Sequence, residues 1–394
     1  MNFIQSKLDV QEKNRANLFN WRGQFTPQFV EYILESINLD DNAVVADPFA
    51  GSGTVLIEAI KKGHSSVGFE INPAAYHMSK FFKYSSLSKT DRVEFLCGVE
   101  NKLNKITSNL NGDKVFTPNK DYRLSYNSLV AIAEIIKNNC TKLDETFFIN
   151  MLFSSEKDKR LTLKDSLYKS YNYFKSALIE LPYLDDTASL FVKNEDARTI
   201  GENYSSQVDL ILTSPPYINV FNYHQNYRAI TEAFGYKILE VAHSEFGSNR
   251  KNRGNRLLTV IQYCIDMEAS LISFWNSLKP DGKLAIVVGR ESNVRKIPIY
   301  NSQIIVDILQ GIGGFEIIIN SERQFGNKFG QQITEDIIIA KKHIKQTPII
   351  GGAKLIAQKH LIIAKQSAPA ESLNDIENAL SRLDEILPSP IYRE

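Results

Sequence analysis

Short apolar runs alternate along the chain with stretches whose apolar residues recur every three or four positions. Ala43 to Ala46, Ala188 to Val192, Val208 to Thr213 and Leu284 to Val288 are runs of the first kind. Bounded by turn residues, runs of this length predict buried strands. Phe29, Ile33, Leu34 and Ile37 are spaced as one helical stripe, and Thr26-Pro27 ahead of them predicts an N-cap with proline in the first turn. A strand from Ala43 to Asp47, a glycine turn, a helix from Val55 to Lys62, Gly63 and a strand ending at Phe69-Glu70 form a βαβ unit. Such a unit implies a parallel sheet.

This rhythm breaks over residues 84–186, which are rich in Lys, Asn, Ser and Tyr and read as a helical insertion. Within it Leu163, Leu167, Tyr171, Phe174, Leu178 and Leu181 fall on one helix face. The α/β pattern then resumes. Met267 to Leu278 predicts a helix, Lys279-Pro280-Asp281-Gly282-Lys283 a turn, and Phe315 to Ile319 with Asp336 to Ala340 a closing strand pair. In the tail, residues 343–394, the spacing of Leu373, Ile376, Leu380, Leu383 and Leu387 predicts a helix packed on the domain. Two heptads are too few for a coiled coil. Residues 1–20 are polar and predict a loosely ordered start.

Composition narrows the picture only a little. The 394 residues are 43% hydrophobic, as expected of a chain with a sizeable core. No run approaches the roughly 18 apolar residues of a membrane span, and Met1 to Lys7 lacks an apolar signal core, so a cytoplasmic location is expected. Cys97, Cys140 and Cys264 form no CxxC pair, which argues against a disulfide frame or a cysteine metal site. His224 has no metal-type partner close by in sequence, and no metal is expected. The net charge of +1 gives no support for a polyanionic partner. The cations do cluster locally, however: Arg250, Lys251, Arg253 and Arg256 lie among small polar residues between Gly247 and Arg256. Such a loop can neutralise phosphates and offer donors to base edges.

Two segments carry the candidate chemistry. In Asp47-Pro48-Phe49-Ala50-Gly51-Ser52-Gly53-Thr54, a strand passes through a glycine turn into a helix, so backbone N–H groups can approach a nucleotide closely. A P-loop would need lysine after the last glycine, where Thr54 stands. A dinucleotide fingerprint would need a third glycine, where Leu56 stands. A third reading, S-adenosylmethionine, rests on the resemblance of Asp47 to Thr54 to the first motif of amino-methyltransferases. In the second segment, Ser214-Pro215-Pro216-Tyr217, a strand stops in a rigid double-proline turn with an aromatic ring attached.

In this order the two segments resemble the cofactor and catalytic motifs of site-specific DNA amino-methyltransferases of the restriction–modification type, which act on cytosine N4 or adenine N6. The resemblance implies a class I, Rossmann-like α/β fold with a mixed seven-stranded sheet and a helical insertion. The catalytic domain would span 21–83 and 187–342, with 84–186 as a candidate target-recognition region and 343–394 as a helical tail. It implies S-adenosyl-L-methionine as cofactor, held by Phe25, Thr26, Asp47, Pro48, Phe49, Gly51, Gly53, Thr54, Glu70 and Asp196. Glu70 would accept from the ribose hydroxyls, Asp196 from the adenine amine, and Phe25-Thr26-Pro27 would contact the methionine end.

Ser214 and the Pro215 carbonyl would accept from the target amine, Pro216 would stiffen the turn, and Tyr217 would stack on a base flipped from the duplex. Serine preceded by threonine at this motif resembles the N4-cytosine members more than the N6-adenine ones. Attack at cytosine C5 needs a cysteine, typically after proline in that family, and none here follows a proline. The implied partners are double-stranded DNA and, functionally, a cognate restriction endonuclease, with no membrane. Two alternatives stand beside this reading: an RNA guanine-N2 methyltransferase, which Asp47 to Thr54 followed by Glu58 also resembles, and a methyltransferase-like binding subunit.

Overall fold

The computed structural model describes residues 3–108, 126–156, 161–184, 187–219, 222–248, 252, 254–326 and 330–394. Five strands run parallel: Val44–Asp47 (β1), Ser65–Phe69 (β2), Leu190–Lys193 (β3), Val208–Thr213 (β4) and Leu278–Gly289 (β5). Ser292–Val294 (β6) and Ile297–Ile299 (β7) make a separate ribbon. Phe315–Gly326 (β8) and Gln332–Lys342 (β9) close the main sheet as an antiparallel hairpin. The seven-stranded order is β3-β2-β1-β4-β5-β9-β8. It is the class I, Rossmann-like methyltransferase arrangement that the sequence motifs led us to expect.

Parallel strands need both faces covered, and alternation along β4 does this. Leu210 and Leu212 pack with Val45, Phe29 and Ile33 on one face. Ile211 packs with Met267, Phe274 and Ile304 on the other, beneath the helices Leu258–Ser277 and Asn301–Ile312. The apolar faces fix the register: a one-residue slip would turn each set outward.

Residues 84–186 are helical where described, with Lys89–Ser108, Tyr126–Asn139, Lys142–Glu156 and Leu163–Glu180. These helices share one core with Leu56, Ile57, Ala74 and Met78, so the insertion packs directly on the glycine-turn helix and its neighbour. Phe81, Tyr84, Phe147 and Phe174 meet there ring against ring. Buried Arg92 donates to the carbonyls of Ser85, Leu87, Ile179, Leu181 and Pro182, joining the two ends of the insertion.

The structure differs from several expectations. The start of the chain is not loose: Gln5–Asp9 is a helix, and Arg15 bridges to Glu31 and Glu58. Thr26 precedes the helix Pro27–Ile37 but makes no capping hydrogen bond, and its hydroxyl is buried without a partner. The helix expected from Met267 begins at Leu258. Residues 279–282 fall inside the span of β5 as an irregularity, since Val208 pairs with Leu278 and Leu210 with Lys283. The tail stripe is α-helical over Ala370–Ser381, continues in one 3-10 turn at Leu383–Glu385, and leaves Leu387 exposed. The expected helical tail also contains the helix Ala353–Ser367, which is capped by a remote residue, with the buried Glu268 carboxylate accepting from the N–H groups of Gly351, Gly352 and Ala353.

Candidate active site

The strand order reverses between β1 and β4, and a crevice opens there beyond their carboxyl ends. Residues 21–25, the glycine turn, the end of β2 and the exits of β3 and β4 meet at its wall, with Tyr223, Glu245 and Phe246 beside them. The glycine turn makes this possible. Gly53 sits at φ +86°, and a Cβ there would lie 2.9 Å from Ser79 Cα. No other residue fits that turn without moving the next helix. Trp21 folds over Gly51 and stacks on Tyr223, with ring centroids 5.9 Å apart. Gln24 accepts from the Ser52 hydroxyl at 2.6 Å, which holds the first segment against the turn.

Asp47 ends β1 and is buried. Its Oδ1 accepts from the Phe49 N–H at 3.1 Å and from the Thr213 hydroxyl at 2.6 Å, so the glycine turn and the end of β4 are tied together. Burial pushes its carboxyl up to about 7, although both hydrogen bonds pull the other way. Glu70 follows β2 and accepts from Gly51 N–H and Asn72 N–H, each at 2.8 Å. Burial pushes it up to about 7 as well, and the charges of Asp47 and Glu245 add to the rise. Asn72 then caps the helix Pro73–Lys80 and donates to the Tyr223 carbonyl at 2.9 Å.

Of the residues anticipated from sequence, Phe25, Asp47, Pro48, Phe49, Gly51, Thr54, Glu70, Asp196, Ser214 and Pro216 line the crevice. Thr26, Gly53, Pro215 and Tyr217 are not on its wall. Thr26 stands beside it, Gly53 shapes the turn from behind, and Pro215 is buried. Asp196 is on the wall with its carboxylate already engaged. It accepts from Arg198 N–H and Nε through Oδ1 and from Nη2 through Oδ2, at 2.6–3.0 Å. Arg198 also reaches Asp266 and the carbonyls of Ser389 and Pro390. Burial raises the Asp266 carboxyl to about 6.

Tyr217 turns toward the far end of the sheet. Its ring packs on Gly289 at the end of β5, and its hydroxyl donates to Glu335 at 2.8 Å. Burial, then the charge of Glu335, pushes its phenol well above the usual range. Arg250, Lys251 and Arg253 lie outside the described residues. Arg256 is exposed and stands next to Asn255, which donates to the Asp375 carbonyl on the helix Ala370–Ser381. Gly247 packs on the segment after the double-proline turn, its carbonyl accepting from Asn219 N–H at 2.9 Å.

Sequence reasoning passed over Glu245, Phe246 and Arg198 as site residues. Phe246 packs edge-on to Phe49 and beneath the Arg198 guanidinium. Glu245 accepts from the His224 backbone and is 2.6 Å from its ring Nδ1. No local motif marks Glu245 or Phe246. Arg198, two residues past Asp196, was open to recognition as a paired cation.

A seven-stranded sheet of this order, with a glycine turn and a carboxylate at its switch point, is the class I methyltransferase fold, and S-adenosyl-L-methionine is its cofactor. Residues 2–81 match the DNA methylase family model for N6 and N4 enzymes. The chain is 22% identical to the Type II methyltransferase M.MjaII of Methanocaldococcus jannaschii, over 73% of this chain and 75% of that one. It is 21% identical to the Type II methyltransferase M.BsoBI of Geobacillus stearothermophilus, over 57% of this chain and 54% of the relative. These matches support a DNA amino-methyltransferase of the restriction–modification type. Among solved structures, TrmN from Thermus thermophilus aligns at 13% identity and a TM-score of 0.34, over 82% of this chain and 50% of that chain. A methyltransferase from Methanosarcina mazei aligns at 12% identity and a TM-score of 0.35, over 79% of this chain and 98% of that one. The chain thus spans about half the length of M.BsoBI and of TrmN. Among the described residues, no helix is long and apolar enough to cross a membrane.

Proposed function

We propose that the chain methylates the exocyclic amine of a base flipped out of double-stranded DNA, with cytosine N4 the favoured target. It would do so at a specific sequence, protecting that sequence from a cognate restriction endonuclease. The observation that carries this reading is the shared crevice: Ser214 and Pro216 line the same wall as Asp47 and Glu70.

The wall also suits the cofactor. A ligand bearing a sulfonium and an ammonium needs negative charge held away from water, and buried Asp47 and half-buried Glu70 supply two carboxyls whose elevated pKa values reflect incomplete compensation. Glu70 gives two of its four lone-pair positions to Gly51 and Asn72, which leaves acceptor capacity for ribose hydroxyls. Gly51, Pro48 and Phe49 form the adjoining floor, and the backbone beyond Asp196 forms the adenine side. When bound, the cofactor supplies an electrophilic methyl group whose leaving group is a neutral thioether.

Ser214 Oγ and the Pro215 carbonyl are the proposed acceptors for the two amine hydrogens. Accepting them favours a pyramidal nitrogen with its lone pair restored. Prolines on either side of the turn's middle bond keep these acceptors fixed, so little reorganisation is needed. Tyr217 is the proposed stacking ring. The serine at this motif, preceded by Thr213, supports cytosine over adenine. Arg250, Lys251, Arg253 and Arg256 are the proposed phosphate contacts, supported by the packing of Gly247 on the catalytic turn. The helical insertion is the proposed target-recognition region. It reaches the segment after that turn, where Phe153 and Tyr227 lie 4.7 Å apart.

The test is transfer of radiolabelled methyl by the purified protein to duplex DNA and to transfer and ribosomal RNA. Label in DNA, lost in Ser214→Ala, is the expected result. Label in RNA alone would replace DNA as the substrate, and cofactor binding without transfer to either would make the chain a binding subunit.

A further inference from the structure

The exits of β2 and β3 are held by a stretch far along the chain, residues 389–393. The Asp196 N–H donates to the Tyr392 carbonyl at 3.0 Å, and Glu195 pairs with Arg393 as an antiparallel bridge. Arg198 fastens the same stretch. Its Nη1 donates to the Ser389 carbonyl at 2.8 Å and its Nη2 to the Pro390 carbonyl at 2.9 Å. Asp266, on the helix Leu258–Ser277, accepts from Arg198 Nη1 at 3.0 Å, from the Ser389 N–H at 2.8 Å and from the Ser389 hydroxyl at 2.6 Å. The Tyr392 hydroxyl donates to Asn194 Oδ1 at 3.4 Å. Asn194 Nδ2 donates in turn to the carbonyls of Glu70 at 2.6 Å and Ile71 at 3.1 Å.

These bonds converge on the crevice wall, which Glu70, Ile71, Asp196 and Ala197 line. Phe246, also on the wall, lies under the Arg198 guanidinium, 4.9 Å from it to the ring centroid. Ser389 and Tyr392 are buried, so their bonds are made away from water. Backbone leaving a strand has lost its ladder partner, and a buried N–H must find another. For Asp196 that partner is Tyr392. Ser389 gives Asp266 two hydrogen bonds to a charged acceptor, the stronger kind. A wall fixed in this way before a ligand arrives costs less to bind against.

We infer that residues 389–393 are a working part of the cofactor site. They hold the backbone from Asn194 to Ala197, and through Asn194 that of Glu70 and Ile71, where the adenosine half of S-adenosyl-L-methionine is received. The inference rests on the placement of that half proposed above. Ser389 and Tyr392 touch no ligand in this scheme and are positioning residues. With the stretch loosened, the ligand would have to order two strand exits as it binds, and affinity would fall.

The experiment is calorimetry of S-adenosyl-L-homocysteine and of methylthioadenosine, which lacks the amino-acid end. It compares the wild-type protein, Ser389→Ala and Ser389→Thr, with thermal unfolding measured beside it. Ser389→Ala removes the hydroxyl given to Asp266 and should weaken both ligands by the same factor, about three- to tenfold. Ser389→Thr keeps the hydroxyl and should hold both Kd values within about twofold of wild type. A lowered Tm with both Kd values unchanged, or a loss confined to S-adenosyl-L-homocysteine, would overturn the proposal. Should Ser389→Ala fail to fold, hydrogen exchange on the wild-type protein takes its place. Residues 194–198 and 389–393 should gain protection together when S-adenosyl-L-homocysteine binds, and protection gained at 194–198 alone would equally overturn it. Full affinity in Glu70→Gln would instead sink the placement of the adenosine half, and the proposal with it.

Discussion

The two ends of the crevice are built in different ways. On the side of the glycine turn, most partners of the acidic side chains are local: Asp47 accepts from Phe49 and, as the exception, from Thr213 on β4, Glu70 from Asn72 and Gly51, and Asp196 from Arg198. On the side of the double-proline turn, Tyr217 and Ile218 are held by residues distant in sequence: Glu335, Gly289 and Asn301, whose Oδ1 accepts from Ile218 N–H. A ligand that recurs unchanged can be gripped by a compact local motif. The double-proline turn takes its orientation from the far strands of the sheet.

Changes at each end should therefore have separable effects. The largest is expected for Ser214→Ala, which removes a proposed acceptor for the amine. Turnover should fall by about 10²- to 10³-fold with cofactor affinity intact; comparable losses in both, by single-turnover kinetics and calorimetry, would show that the two ends are not separable. Glu70→Gln should do the reverse. Losing a charged acceptor costs about 1.5–3 kcal/mol, or roughly 10- to 150-fold in cofactor Kd, while turnover at saturating cofactor should change little.

A smaller effect should follow pH. Asp47 and Glu70 both titrate near 7 in the folded protein, raised from about 4. The folded state thus holds more protons than the unfolded one between these values. Their contribution to stability of the ligand-free protein falls as pH rises from about 4 to about 7. A cationic ligand prefers them ionised, so its Kd should weaken by about tenfold or more from pH 8 to pH 6, with proton release on binding at pH 6. Titration calorimetry in two buffers of different ionisation enthalpy reads both, and a flat Kd would remove these carboxyls from the cofactor's binding. The smallest effect is expected for Arg256→Ala, which should weaken DNA binding only a few-fold and lower the salt slope by about one. An unchanged slope would place Arg256 away from phosphate.

The same contrast explains what was legible in the sequence. The strands β1, β2 and β4, the glycine turn and Glu70 could be read because each is marked by a local pattern of residues. The start of the helix Ala353–Ser367 was not marked, because its cap is Glu268, more than eighty residues earlier. Thr26 had the residue type of a cap but makes no capping bond, so residue preference alone misled there. Asp196 was identified as an acceptor, while its pairing with Arg198 depends on Asp266 and on a distant segment at Ser389. Glu335 and Glu245 carry no motif, and only the folded sheet brings them to the turn and the crevice.

The central claim is that one crevice joins cofactor and catalytic turn to methylate a base amine in DNA. Mass spectrometry of nucleosides from host DNA, after expression of the wild-type chain and of Tyr217→Ala, tests it most directly. The account predicts new N4-methyldeoxycytidine with the wild-type chain and none with the variant. N6-methyldeoxyadenosine above background would keep the chemistry and change the base; DNA free of new methylation, with methylguanosine appearing in RNA, would contradict the account.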